Sequence, residues 1–124
     1  MSRIEEIRKE AQTIQAYLEC NASGEIAECV ERLDTLGVFF ARSGALQAEV
    51  KGIVSTKVAK LMGSDDGRAL IATLSPSMAK TYIKGLTADE EALEAWLDSI
   101  NSACRQQCDN LRTIISYEKS RVNL

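Results

Sequence analysis

Residues Gly24–Met62 read GEIAECVERLDTLGVFFARSGALQAEVKGIVSTKVAKLM, a run without proline in which apolar and small residues return every three or four positions. One line along it is Ile26, Val30, Leu33, Gly37, Ala41, Gly44, Ala48, Gly52, Ser55, Ala59 and Met62. At about 100° per residue these positions share one face of a helix. The face is large at its ends and bare in its middle. Each interior glycine costs about 0.5–1 kcal/mol relative to alanine. The spacing therefore predicts a helix-packing groove at Gly37, Ala41, Gly44, Ala48, Gly52 and Ala59, filled by the intrachain side chains Trp96, Ile100 and Leu111 or by self-association along this helix. Phe39, Leu46 and Ile53 recur every seven residues on roughly the opposite side, with Val50 beside them. A helix apolar on two sides needs two covers, from the first helix and the C-terminal region together or from another copy of the chain. The expectation is that Phe39, Leu46, Val50 and Ile53 form an interface between copies, making a homo-oligomer, a dimer or higher. A continuous helix over this stretch is about 57 Å long.

Upstream, Ile4, Ile7, Ala11, Ile14 and Leu18 repeat at three, four, three, four, which predicts a helix with one narrow seam. Asn21-Ala22-Ser23-Gly24 reads as a tight connection, with Asn21 or Ser23 as the next N-cap. Downstream, Gly63-Ser64-Asp65-Asp66-Gly67 breaks the pattern, as a kink, a turn or a flexible tip. A short helix through Arg68, Leu70, Ile71 and Leu74 follows. Ser75-Pro76 restarts the chain, with Ser75 as N-cap and Pro76 in the first helical position. Thr87 and Glu90 have the spacing of a capping box. Leu93, Leu97, Ile100, Cys104, Cys108, Leu111 and Ile115 form the seam of a last long helix, ending in Lys119 and Arg121, the charge that a helix C-terminus favours.

The chain has 124 residues with one proline and 45% apolar residues, enough for one domain with a core over residues 1–124. The scarcity of breakers favours long helices. The start, Met1-Ser2-Arg3-Ile4-Glu5-Glu6, is charged and lacks an apolar block, so it does not read as a signal peptide. No run approaches the ~20 apolar residues of a membrane span. A cytoplasmic protein is expected, with no membrane partner and with its four cysteines as reduced thiols.

Glu31-Arg32-Leu33, Leu36 and Ala41-Arg42-Ser43-Gly44 are followed later by Glu94, Trp96, Ile100-Asn101, Cys104, Gln107, Leu111 through Tyr117 and Lys119. Together these groups resemble a set of small helical proteins encoded in phages and integrated elements of gut bacteria. The likeness spans roughly residues 5 to 121. It implies a phage or prophage origin, a bacterial host cytoplasm and a role beside single-strand DNA recombination. It supplies no catalytic residues. The set has a histidine just before the glutamine that matches Gln107. Here that position is Gln106, which puts a metal or acid-base role there in doubt.

The residues themselves carry little chemistry. Cys104 and Cys108 sit at i, i+4, a spacing that can bind metal. The other thiols are Cys20 and Cys29. In an antiparallel hairpin Cys29 is expected beside about residue 120, roughly 24 Å along the axis from Cys104. The four thiols then read as small hydrophobes and not as a zinc set. There is no histidine, the usual acid-base group at neutral pH. The many glutamates read as solvated faces and helix starts, and no glycine-rich phosphate loop is present. No enzyme, cofactor or metal is expected. Lys51, Lys57, Lys60, Arg105 and Arg112 are the candidates for a basic patch. The net charge of −3 and 5% aromatic content disfavour nucleic acid as the partner. The expected fold is all-α: a long antiparallel helical hairpin with an extra N-terminal helix and a short helix near the tip. The expected function is a non-catalytic, self-associating interaction protein, accessory to recombination. An anti-defence inhibitor that sequesters a host protein or small ligand, or a structural phage component, is the alternative.

Overall fold

The computed structural model describes residues 1–20 and 24–122. The capping reading for Asn21 and Ser23 lies outside them. Five helices follow in order: α1 Arg3–Glu19, α2 Ile26–Gly63, α3 Asp65–Ala72, α4 Pro76–Leu86 and α5 Ala88–Val122. No strand occurs among the described residues. The fold is all-α, and α2 and α5 form the long hairpin.

Local signals start and stop these helices. Ser2 caps α1, its Oγ accepting from the Glu5 amide at 3.2 Å. α2 runs unbroken for 38 residues and ends at Ser64, whose hydroxyl serves two helices. It donates to the Leu61 carbonyl at 3.0 Å and accepts from the Gly67 amide at 3.0 Å, capping α3. The corner is tight enough that a Cβ on Gly67 would run into the Leu61 carbonyl. The Gly63–Gly67 segment is therefore an ordered corner between helices. Ser75 caps α4, accepting from the Met78 amide at 3.3 Å, with Pro76 in the first turn.

The capping box at Thr87 does not form. Thr87 is the single residue between α4 and α5, and it serves the helix behind it. Its amide and its hydroxyl both donate to the Ile83 carbonyl, at 3.2 and 3.1 Å. Its own amide is thereby spent, so the Glu90 carboxylate turns to Lys57 instead.

Cross-helix contacts give the topology. Lys57 meets Glu90, Lys51 meets Glu94, Gln47 meets Asp98, and Ser43 meets Asn101, so α2 and α5 are antiparallel. Arg3 meets Glu49 and Glu10 meets Arg42, so α1 is antiparallel to α2 and parallel to α5. The result is a three-helix bundle with α3 and α4 folded at one end.

The core lies between α1, α2 and α5. α1 buries Ile7, Ala11, Ile14 and Leu18, the seam its spacing predicts. α5 buries Leu93, Leu97, Ile100, Cys104, Cys108 and Leu111, again as predicted. α2 buries a different line from the one expected. Cys29, Leu36, Ser43 and Val50 recur every seven residues, with Leu46 beside them. Leu33, Phe39 and Ile53 pack partly buried against this line. The buried Ser43 is answered by Asn101, whose Nδ2 donates to Ser43 Oγ at 3.1 Å and to the Phe40 carbonyl at 2.9 Å. A satisfied polar layer of this kind fixes helix register, because any slip leaves buried polar groups unpaired.

Candidate interaction surfaces

The glycine face of α2 points away from the core. A Cβ added at Gly37 or Gly52 would meet nothing within 4 Å, and at Gly44 only Asn101 Nδ2 at 3.6 Å. Ala41, Ala48 and Ala59 are exposed. No intrachain helix enters the expected groove. Ile100 and Leu111 lie in the core, and Trp96 leans on α1, its indole N–H donating to Gln15 Oε1 at 3.1 Å. The physical reason is angular. α5 touches α2 at Ser43, Gln47 and Lys51, and α1 touches it at Arg42 and Glu49. The glycine line falls on the side beyond α5, turned away from α1.

The second expectation fails in the complementary way. Leu46 and Val50 are 1% and 0% exposed, and Phe39 and Ile53 are packed against the core. Phe39 meets the Tyr17 ring edge-on, with centroids 5.2 Å apart. These four residues are the floor on which α1 and α5 sit, so they are not an interface between copies.

The outer face of α2 is unusual in composition as well as exposure. Between Asp34 and Lys60 it presents Gly37, Val38, Ala41, Gly44, Ala45, Ala48, Gly52, Ser55, Thr56 and Ala59, without one charge. From Gly37 to Ala59 this strip runs about 33 Å. Val38 is 66% exposed. The ends of α2 differ in sign, with Glu25, Glu28, Glu31 and Asp34 at the start and Lys57 and Lys60 at the end.

The proposed basic residues do not make one patch. Lys51 lies 3.7 Å from Glu94, Lys57 3.1 Å from Glu90, and Arg112 3.3 Å from Asp109. Arg105 is eleven residues beyond Glu94 on α5, about 16 Å further along. Two separated groups of mostly paired cations offer phosphates little.

Lys57 and Glu90 make the most buried ion pair. Lys57 Nζ also donates to the Leu86 carbonyl at 2.6 Å, tying α2 to the end of α4. Burial pushes the Glu90 carboxyl up, but its own backbone amide, Lys57 and Arg8 outweigh that and hold it below its ordinary value. Its second oxygen is buried without a partner. The pair borders an open cleft of about 590 Å³ floored by Gly52 and Ile53.

At the opposite end, Arg32 and Gln107 close the C-terminus of α1 from outside. Arg32 Nη2 donates to the Tyr17 carbonyl at 3.3 Å and to Gln107 Oε1 at 3.0 Å, and Gln107 Nε2 donates to the Leu18 carbonyl at 3.1 Å. The guanidinium also lies 4.6 Å from the Tyr17 ring centroid. α1 has no basic residue in its last turn, so α2 supplies the charge that its dipole favours. Arg32, Arg42, Ser43, Trp96, Asn101 and Gln107 all make bonds between helices. They hold the bundle together.

Cys29, Cys104 and Cys108 are buried and Cys20 is exposed. Burial pushes the Cys104 and Cys108 thiols up, so they stay protonated at neutral pH. The Ser43–Asn101 and Gln47–Asp98 pairs set Cys29 beside about residue 115 and not beside residue 120, a register about one turn from the expected one. Among the described residues no group of three or more cysteine and acidic side chains is placed to hold a metal. No described helix is long and apolar enough to cross a membrane. Comparison with protein-family models, curated proteins and solved structures finds no match.

Proposed function

We propose that this chain is a non-catalytic helical interaction protein of phage type that pairs with a second copy of itself through the uncharged outer face of α2. The carrying observation is the cost of that face. Gly37 and Gly52 stand in open helix interior with room for a methyl group, yet each forgoes about 0.5–1 kcal/mol of helix stability. Nothing among the described residues packs against either position to offset that. A backbone kept bare so that a second helix approaches closely does.

An antiparallel pair of copies centred near Ala48 suits the residues. It sets Gly44 opposite Gly52 and Gly37 opposite Ala59, small against small. It also sets Asp34 of one α2 within a turn of Lys60 of the other and opposes their dipoles. Self-association then runs along the small-residue stripe and not through Phe39, Leu46, Val50 and Ile53.

Cross-linking tests this. In a Cys20→Ser background, Ala48→Cys should form a covalent dimer rapidly with a short bismaleimide, because the two sulfurs lie near the two-fold axis. Thr13→Cys, exposed on α1, should not. Equal and slow reaction at both positions would sink the proposal.

A further inference from the structure

The apolar seam of α5 does not begin where α5 begins. Traced backwards from Cys104, Ile100, Leu97 and Leu93, it continues through Glu90 to Leu86, Ile83 and Ala79, in alternating steps of three and four. Leu86, Ile83 and Ala79 are the half-buried residues of α4. A seam that keeps its phase across a break is the pattern of one helix. By that pattern α4 and α5 are a single rod from Pro76 to Val122, about 70 Å long if straight.

The rod is interrupted at Thr87, whose φ of −109° and ψ of 12° lie outside the helical region. Helical bonds flank the break. The Thr87 amide donates to the Ile83 carbonyl at 3.2 Å, and the Glu91 amide to the Thr87 carbonyl at 2.9 Å. Between them the Glu90 amide does not donate to the Leu86 carbonyl, and both groups are engaged elsewhere. Lys57 Nζ reaches across from α2 and donates to the Leu86 carbonyl at 2.6 Å. The Glu90 amide donates to its own carboxylate. The Thr87 hydroxyl, donating back to Ile83, eases the bend but leaves the Leu86 carbonyl open. A side chain inserted into the helical hydrogen-bond ladder is among the few causes of a sharp kink.

We infer that Lys57 is a wedge that holds α4 off the axis of α5, and that the two helices join into one when its ammonium leaves the Leu86 carbonyl. The exchange is small. Lys57 is 45% exposed, so its ammonium has water to move into. Thr87 reaches helical geometry by turning φ and ψ about 50° each. α4 buries no residue, so little packing holds it in the bent position. The direction of the tip thus depends on one side chain of α2.

Nuclear magnetic resonance of the full chain tests this with two readouts. Residual dipolar couplings give the axes of α4 and α5, and a scalar coupling across the hydrogen bond from the Glu90 amide to the Leu86 carbonyl reports its formation. Wild type and Glu90→Gln, which keeps the wedge, should need two axes and lack the coupling. Lys57→Met with Glu90→Gln, which removes the wedge and leaves no stranded charge, should fit one axis and show the coupling at residue 90. A double variant that stays bent would assign the break to Thr87 alone and overturn the inference. Glu90→Gln joining the helices by itself would overturn it too, since the carboxylate and not the ammonium would then hold the bend.

Discussion

The two sides of α2 are built from different materials. The covered side carries Leu36, Leu46 and Val50, each 1% exposed or less, and its buried Ser43 is answered by Asn101 from α5. The open side carries glycine, alanine, serine and threonine for about 33 Å without a charge. A solvated helix face ordinarily holds charged residues, as the outer face of α1 does here with Glu5, Glu6, Lys9 and Glu19. Stability resides on one side of the rod. The other side gives stability up, and that contrast points to contact with something outside the chain.

Leu46→Glu attacks the covered side and should have the largest effect. It sets a carboxylate into the core with no cation opposite and should unfold the chain at room temperature, a loss above about 4 kcal/mol. Circular dichroism reads this directly. A folded Leu46→Glu variant that only lost self-association would return Leu46 to the interface.

Lys57→Met should cost less. It strands the Glu90 carboxylate, which is 12% exposed, against apolar neighbours. Lys57 itself is 45% exposed, so solvent screening discounts the loss to about 1–2 kcal/mol. Adding Glu90→Gln should recover part of it. Urea unfolding of the single and double variants gives the coupling.

On the open side the sign reverses. Gly37→Ala and Gly52→Ala should each stabilise the separate chain by about 0.5–1 kcal/mol, since neither new methyl meets an atom within 4 Å. The same changes should weaken pairing by holding the backbones apart. Destabilisation of the monomer by either would show that the face is already packed.

The smallest effect concerns acid. Hydrogen bonding and charge from Arg42 hold the Glu10 carboxyl below its ordinary value of 4.5, and Glu90 is likewise lowered. A depressed folded value means stability that is present above the ordinary carboxylate range and lost as pH falls through it. Denaturation midpoints should be level at neutral pH and fall below about pH 4.5, less steeply in Arg42→Gln.

The sequence displayed α1 and α5 well because each has one seam of apolar residues at regular spacing. Ser75-Pro76 likewise marked α4. α2 misled because its true seam runs through Ser43, which does not look apolar, while Leu46 and Ile53 look like a second face. Ser43 reads as buried only once Asn101 is known to lie opposite, and that pairing spans 58 residues. Thr87 had the right neighbours for a cap, but a one-residue connection left its amide to α4. Local spacing carries the elements. Which face meets which helix depends on register, and register is set by pairs far apart in the chain.

Sedimentation equilibrium of the wild-type chain beside Ala48→Glu tests the main claim most directly. Wild type should sediment as a dimer at tens of micromolar and Ala48→Glu as a monomer, with identical helical spectra. A monomeric wild type, or an Ala48→Glu variant that still pairs, would contradict it.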